Sequence, residues 1–193
     1  SSALDFILPF EKYKITAGAK VSFTNTRNGI NYDTSDPTLV QDDYFRYKEQ
    51  IYALYADYSR QYSERFSMQL GLRMEHTRTT GISEAKDTED KHDYTRLFPT
   101  VYLLYSPTDG HALNFSFSNR ISRPSQNMVN PFPFYQNKYT YACGREDLKP
   151  SYTYNVELGY TLKNNFNVSA YYSYSDQVFF QVVDFDDETN VNS

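Results

Sequence analysis

The sequence predicts an all-β fold, an antiparallel meander of about eight long strands. Three observations predict it. Apolar and polar residues alternate over stretches of about ten positions, the links between these stretches are short and long in turn, and aromatic residues are abundant in a chain that is polar overall. The 193 residues include 20 Tyr and 14 Phe, yet only 39% are hydrophobic and the mean hydropathy is −0.70. Disordered chains are poor in aromatics, so disorder does not explain the polarity. The longest oily runs, FILPF and VYLLY, are strand-sized and far short of the ~18 consecutive apolar residues that make a membrane helix.

Taken in order, the strands read as follows. In YKITAGAKVSFT, Tyr13, Ile15, Ala17, Ala19, Val21 and Phe23 alternate with Lys14, Thr16, Gly18, Lys20, Ser22 and Thr24. In FSMQLGLRMEHT, Phe66, Met68, Leu70, Leu72 and Met74 point one way, and Ser67, Gln69, Gly71, Arg73, Glu75 and Thr77 the other. HALNFSFSNR sets Leu113, Phe115 and Phe117 against Asn114, Ser116, Ser118 and Arg120. YTYNVELGYTL sets Tyr152, Tyr154, Val156, Leu158, Tyr160 and Leu162 against Thr153, Asn155, Glu157, Gly159 and Thr161. FNVSAYYSY gives Phe166, Val168, Ala170, Tyr172 and Tyr174, with Tyr171 on the polar side. Two further strands, near 49–59 and 94–106, are oily on both faces, and their parity stays open.

Short links fall near residues 11, 62, 108 and 164, and long ones at 26–44, 80–93 and 122–150. All tight turns then lie at one end of the meander. Long strands with short turns at one end and long loops at the other are the pattern of a transmembrane β-barrel, in which lipid covers the oily face and a wet lumen takes the charged one. The pattern is therefore expected to be that of a transmembrane β-barrel. A soluble sheet on a core is the plainer alternative, but ordinary strands have a mode of ~5–6 residues. The turn centres recur about every 50 residues, as in some propellers, but propeller blades need four short strands per repeat.

The net charge of −5 gives no electrostatic footprint for nucleic acid. Cys143 is the single cysteine, so no intrachain disulfide forms. The chain start shows no charged segment followed by an apolar one, so any export signal is expected to lie outside it or to have been removed. His76 follows the oily parity of its strand, His92 sits in the charged stretch SEAKDTEDKHD, and His111 adjoins a tight turn. No triad or metal pair at a recognisable spacing emerges, and neither an enzyme activity nor a cofactor is expected. The acidic runs DTED and DFDDE (Asp184, Asp186, Asp187, Glu188) read as solvated loops before they read as cation ligands.

Two groups of residues are candidates for function. Arg73, Glu75, Arg120 and Glu157 share the lumen-facing parity, either to pair with one another or to meet something inside the barrel. The segment NPFPFYQNKYTY carries Phe132, Phe134, Tyr135, Tyr139 and Tyr141 in a long loop, where rigid rings suit ligand capture. Equally, such a loop folds over the barrel mouth and buries its own rings.

Several segments together resemble the outer-membrane barrel of TonB-dependent receptors. They are GLRMEHT at 71–77, RLFPTVYLLYSP at 96–107, SFSNRISRPSQNMVNPF at 116–132 and GREDLKPSYTYNVELGY at 144–160, preceded by LDFILPFEKYKITAGAKVSF. The resemblance covers most of the chain in the family's order. It departs where Arg145, Glu146 and Asp147 follow Gly144 in place of Asn-Pro, and where Ser151 stands for the common Glu. It implies that residues 1–193 form one partial outer-membrane β-barrel domain, part of a larger transmembrane β-barrel: a middle portion of a 22-stranded barrel without its plug, in the outer membrane of a Gram-negative bacterium. It also implies uptake of a scarce nutrient such as an iron chelate, a cobalamin-like cofactor or an oligosaccharide. The implied partners are outer-membrane lipid, the TonB energy-transducing system acting through the plug, and an extracellular small molecule. The isolated piece is expected to self-associate through its open edges. Two other readings stand beside this one: a self-contained eight-stranded barrel with a structural or adhesive role, and a soluble carbohydrate-binding β-domain.

Overall fold

A computed structural model describes residues 1–31, 42–83, 88–130, 134–137, 140–145, 147–163, 165–183, 185–186 and 191–192. The main sheet is built from β1 (Ser2–Pro9), β2 (Tyr13–Asn31), β3 (Asp42–Ser63), β4 (Phe66–Ser83), β5 (Thr88–Tyr105) and β6 (His111–Ser122). After a short helix α1 (Gln126–Val129) and the two small strands β7 (Phe134–Asn137) and β8 (Thr140–Ala142), it continues in β9 (Ser151–Leu162) and β10 (Phe166–Asp176). The eight long strands pair antiparallel in the order β1-β2-β3-β4-β5-β6-β9-β10. A second, small sheet joins β7 and β8 to β11 (Phe185–Asp186) and β12 (Val191–Asn192) in the order β11-β12-β8-β7. Among the described residues β1 and β10 do not pair with each other, so the large sheet is open, and a closed eight-stranded barrel is not the arrangement observed.

The short links fall where expected. Phe10 donates its N–H to the Tyr13 carbonyl across the first turn. Gly110 takes a φ of +78° in the turn before β6, a conformation that side chains disfavour. Lys163 in the turn after β9 donates to the Gly110 carbonyl, which ties two neighbouring turns together.

The long links differ from expectation. Residues 26–31 and 42–44 are already strand, paired up to Asn31↔Asp42, and the expected loop at 80–93 is mostly strand, paired up to Ser83↔Thr88. These hairpins run past the end of the oily band into a region with water on the outside, so alternation fades while backbone pairing continues. Side-chain pairs such as Arg78 with Asp93 at 3.0 Å, directly opposite each other, support the extension.

The register also settles the two strands of open parity. Rungs such as Leu4–Ala19–Leu54–Met74–Leu97 and Phe6–Ala17–Ala56–Leu72–Pro99 share one face. On that face Leu54, Leu72, Met74, Leu97, Leu158 and Tyr172 are exposed, Leu72 at 50%. Most buried residues belong elsewhere: Ala53, Glu75, Thr77 and Phe98 lie on the polar face and Val129 in the loop after β6, while Tyr152, of oily parity, is buried under that loop. A sheet that exposes its leucines and buries a glutamate is turned inside out relative to a soluble protein. Counting rungs fixes the height of the oily band. Between Arg60 at one end and the Gln50–Arg78–Asp93 rung at the other lie about ten residues of β3. That is ~33 Å of strand at ~3.3 Å per residue, and a tilt of ~35–45° reduces it to ~25 Å, the height of the apolar band of an outer-membrane barrel.

Candidate functional site

The polar face is furnished by residues that need room. Gly18 lies opposite Tyr55, and a Cβ there would come within 2.6 Å of the Tyr55 ring and 2.7 Å of the Asp5 carboxylate. The Tyr55 hydroxyl donates to that same Asp5. The absent side chain of Gly18 thus lets an aromatic ring lie flat across the strand. Tyr171, which breaks the alternation of β10, belongs to this wall: it stands opposite Glu157, and its hydroxyl donates to Asn155 Oδ1 at 2.5 Å.

Toward the long-loop end the wall carries an ionic cluster. Arg73 and Glu75, two apart on β4, share a face, and Arg73 Nε donates to Glu75 Oε2 at 3.0 Å. The other carboxylate oxygen of Glu75 accepts from Arg123 Nη2, so one carboxylate that is only 3% exposed is held between two guanidinium groups. Arg123 comes from the first residues of the loop after β6. It also donates to Thr77 Oγ1 at 3.1 Å and lies 3.7 Å from Glu49 Oε1. Its Nε has no hydrogen-bond partner among the described residues. Burial pushes the Arg123 guanidinium down from its ordinary value, and Glu49 pulls it back up. Burial, with Glu49 adding to it, pushes the Tyr47 hydroxyl up to about 12, so Tyr47 remains a neutral hydrogen-bonding partner for Glu49.

Above this cluster β5 leaves β6. Their pairing covers only Thr100–Tyr105 of β5, and the gap beyond opens into a cavity of about 420 Å³. Tyr47, Glu49, Tyr94, Arg96, Arg123 and Tyr152 line it, and Val129, Leu148 and Pro150 of the β6–β9 loop close it over. Arg96 lies over the Tyr152 ring at 4.9 Å. The loop is knitted to itself by Gly144 N–H to the Asn130 carbonyl at 2.7 Å and Arg145 N–H to the Met128 carbonyl at 2.8 Å. A Cβ on Gly144 would collide with the Met128 carbonyl, which explains a glycine at this crossing.

Of the expected wall residues, the structure brings Arg73 and Glu75 together. Arg120 and Glu157 share their face but stand apart from the cluster: Arg120 is exposed opposite Thr153, and Glu157 lies between Ser116 and Tyr171. Of the aromatic loop residues, Phe132 and Tyr139 lie outside the described residues. Phe134 and Tyr135 belong to β7, with Tyr135 paired to Tyr141 of β8. Sequence reasoning did not find Arg123, Glu49 or the cavity. Arg123 sits in the RISRP motif, but nothing in its local pattern announces a contact with strands some fifty residues earlier. Outside the cavity, His76 Nδ1 meets Thr95 Oγ1 at 3.0 Å on the outward face. Among the described residues no group of His, Cys, Asp or Glu is arranged to hold a metal ion.

An open sheet of long tilted strands, oily outside, charged and tyrosine-lined inside, with tight turns at one end and loops at the other, defines a stretch of outer-membrane barrel wall. Residues 1–193 match the model of the outer membrane protein beta-barrel family, and the chain belongs to that family. This places it in the outer membrane of a Gram-negative bacterium. Its fold is similar to that of the copper transporter OprC, with a TM-score of 0.62 and 13% identity over 88% of this chain and 29% of that one. It is likewise similar to the ferric yersiniabactin uptake receptor FyuA from Yersinia pestis, with a TM-score of 0.55 and 15% identity over 90% of this chain and 27% of that one. The expected resemblance to TonB-dependent receptor barrels is thus met at the level of the fold. The chain spans under a third of the length of either structure. No curated protein matches the sequence.

Proposed function

We propose that this chain forms part of the barrel of a TonB-dependent receptor that takes up a scarce nutrient, with an iron chelate, a cobalamin-like cofactor or an oligosaccharide as the candidate classes. Transport, not catalysis, is the role assigned to it. The observation that carries the reading is the placement of a cavity of about 420 Å³, lined by tyrosines and guanidinium groups, beneath the β6–β9 loop at the end of the sheet away from the tight turns. In outer-membrane barrels that end faces the outside, where a ligand arrives first. The aromatic residues Phe132, Phe134, Tyr135, Tyr139 and Tyr141 in the same loop would add flat contact surface. Energy for release into the periplasm would come from the TonB system through a plug supplied by the rest of the receptor.

The experiment uses the intact protein in cells. Uptake of labelled candidates from the three classes is followed with and without a proton uncoupler, alongside the surface abundance of the receptor. Accumulation of one class that the uncoupler abolishes supports the proposal. Failure of all three, or uptake indifferent to the uncoupler, contradicts it. Replacing Phe134, Tyr135 and Tyr139 together by alanine is expected to weaken equilibrium binding of the transported class at unchanged abundance. Unchanged binding would remove these rings from the ligand site.

A further inference from the structure

The upper half of β5 is a strand edge without a partner strand. Its ladder with β6 ends at Thr100↔Ser118, while its ladder with β4 continues to Ser83↔Thr88. Pro99 stands next in line and has no N–H to give, so the ladder stops there. Asn119 Nδ2 reaches the Leu97 carbonyl at 3.5 Å, a side chain in place of the missing strand. β6 meanwhile stays with β9 up to Ser122↔Ser151. The cavity under the β6–β9 loop is walled by Asp90, Lys91, His92, Asp93 and Tyr94 in succession. Successive residues of a strand point to opposite faces, so a wall that takes all of them is the edge of β5 and not one of its faces. Among the described residues no loop backbone is hydrogen-bonded to that edge. From Asp93 upward the edge stands above the oily band, in water, where an open edge is tolerated. The site is basic at its lower end. Arg96 stands opposite Glu75, but both oxygens of that carboxylate are taken by Arg73 and Arg123, and Arg96 lies over Tyr152 without an ion pair among the described residues. Arg123 Nε is buried without a hydrogen-bond partner, and Lys149 of the overlying loop makes no ion pair among the described residues.

We propose that this edge binds a peptide backbone: a short extended segment adds to β5 along residues 90–94, with an acidic group at its lower end on Arg96 and Arg123. A strand edge offers alternating N–H and C=O groups, which another extended backbone matches residue by residue. The guanidinium groups supply charge-assisted hydrogen bonds to a carboxylate, and Tyr94 and Tyr152 border the same space. The roof of Val129, Leu148 and Pro150 and a volume of about 420 Å³ admit a short segment and exclude the edge of a second barrel. Charges on Glu89, Lys91 and Asp93 likewise oppose edge-to-edge pairing of two copies. The inference rests on the uptake role proposed above and narrows it: of the three candidate classes, an iron chelate built on a peptide backbone meets this chemistry. A free acidic peptide meets it equally.

The test measures binding without transport, so that it fails separately from the uptake role. Equilibrium dialysis of the intact protein in detergent, read by mass spectrometry, uses a library of carboxyl-amidated tetrapeptides ending in glutamate. Beside it run the same library methylated at its backbone nitrogens, a counterpart ending in glutamine, and trigalacturonate as a sugar that carries carboxylates. Library members should be retained, and about tenfold more weakly after N-methylation, the factor for losing one or two hydrogen bonds. The glutamate library should bind the wild type about tenfold more tightly than its glutamine counterpart, and Arg96→Gln should abolish that advantage. Solid-state NMR cross-peaks between peptide amide protons and those of residues 90–94 should locate the bound strand. A catechol cap on the library separates the two sources: retention raised by ferric iron marks a peptide-built chelate, retention indifferent to iron marks a free peptide, and both agree with the proposal. Heat-modifiable gel mobility confirms that the variant is folded. An empty library, retention unaffected by N-methylation, or trigalacturonate held more tightly than any peptide would overturn the proposal.

Discussion

Replacing Glu75 by glutamine removes the charge that holds Arg73 and Arg123 together. Glu75 is 3% exposed and accepts from both guanidinium groups, so its loss leaves two like charges facing each other across the wall. Stripping one partner from a fully buried pair costs ~3–5 kcal/mol. Here the Arg73 side chain is 40% exposed and that of Arg123 22% exposed, and Arg123 keeps Glu49 at 3.7 Å. Water screens the exposed share, so the expected loss is about 2–3 kcal/mol, or some thirty- to 150-fold in the folded-to-unfolded ratio. The assay is urea unfolding of the intact protein in lipid vesicles, with the folded fraction read by heat-modifiable gel mobility. Glu157→Gln is the control: Glu157 shares the wall but makes no ion pair among the described residues, and a change within ~0.5 kcal/mol is expected there. A second readout is tryptic cleavage after Arg145, which should quicken in Glu75→Gln because Arg123 anchors the start of that loop. Equal midpoints for Glu75→Gln and Glu157→Gln would refute the argument that the buried carboxylate ties the loop to the wall.

Depth decides the cost of a charge on the oily face. Leu72→Arg, near mid-band, is expected to destabilise the folded barrel by ~2–4 kcal/mol, Leu70→Arg, one rung above Arg60, by less, and Gln69→Arg on the wet face by little. The same urea titration measures all three. Gly18→Val drives a side chain into the Tyr55 ring and is expected to cost ~1–3 kcal/mol, checked by its unfolding midpoint and by loss of the Tyr55–Asp5 contact. In the loop, the hydrogen bond from Arg145 holds the Asp147 carboxyl below its ordinary value. A lowered folded-state value means that this contact contributes at neutral pH and is lost as pH falls below the ordinary carboxylate range of ~3.9. Carbon-13 NMR titration of Asp147 should show the lowering in the wild type and its disappearance in Arg145→Gln.

The sheet was legible because a membrane wall imposes the plainest pattern a strand can carry. Phe66 to Met74 has lipid on one side and water on the other, and its alternation transfers directly into the rungs observed. The strand at 49–59 was harder, since Tyr55 and Ala53 on the polar face are themselves apolar or aromatic: one lies flat over Gly18 and the other is covered by its surroundings. The upper hairpins read as loops in the sequence because water on the outside removes the demand for alternation. Parity alone places Arg73 and Glu75 on one face, within reach of each other. Arg123 was not legible in this way, because its contacts with Glu75 and Glu49 are made by a loop folding back on distant strands, and no periodicity records such a return. The cavity has the same origin, a parting of β5 from β6 that leaves no local mark in either strand.

The most direct test of the account is a nitroxide scan of β4 and β3 in the intact protein in bilayers, measuring collisions with oxygen, which enriches in lipid, and with a water-soluble nickel chelate. Labels at Met68, Leu70, Leu72 and Met74, and at Leu54 and Ala56, should favour oxygen. Labels at Ser67, Gln69, Ala53 and Asp57 should favour the chelate or be shielded from both. The predicted result is a period-two alternation, in phase across each rung. A flat profile, or one in which Gln69 and Asp57 are the lipid-exposed positions, would contradict the claim that this sheet is a membrane wall turned oily side out.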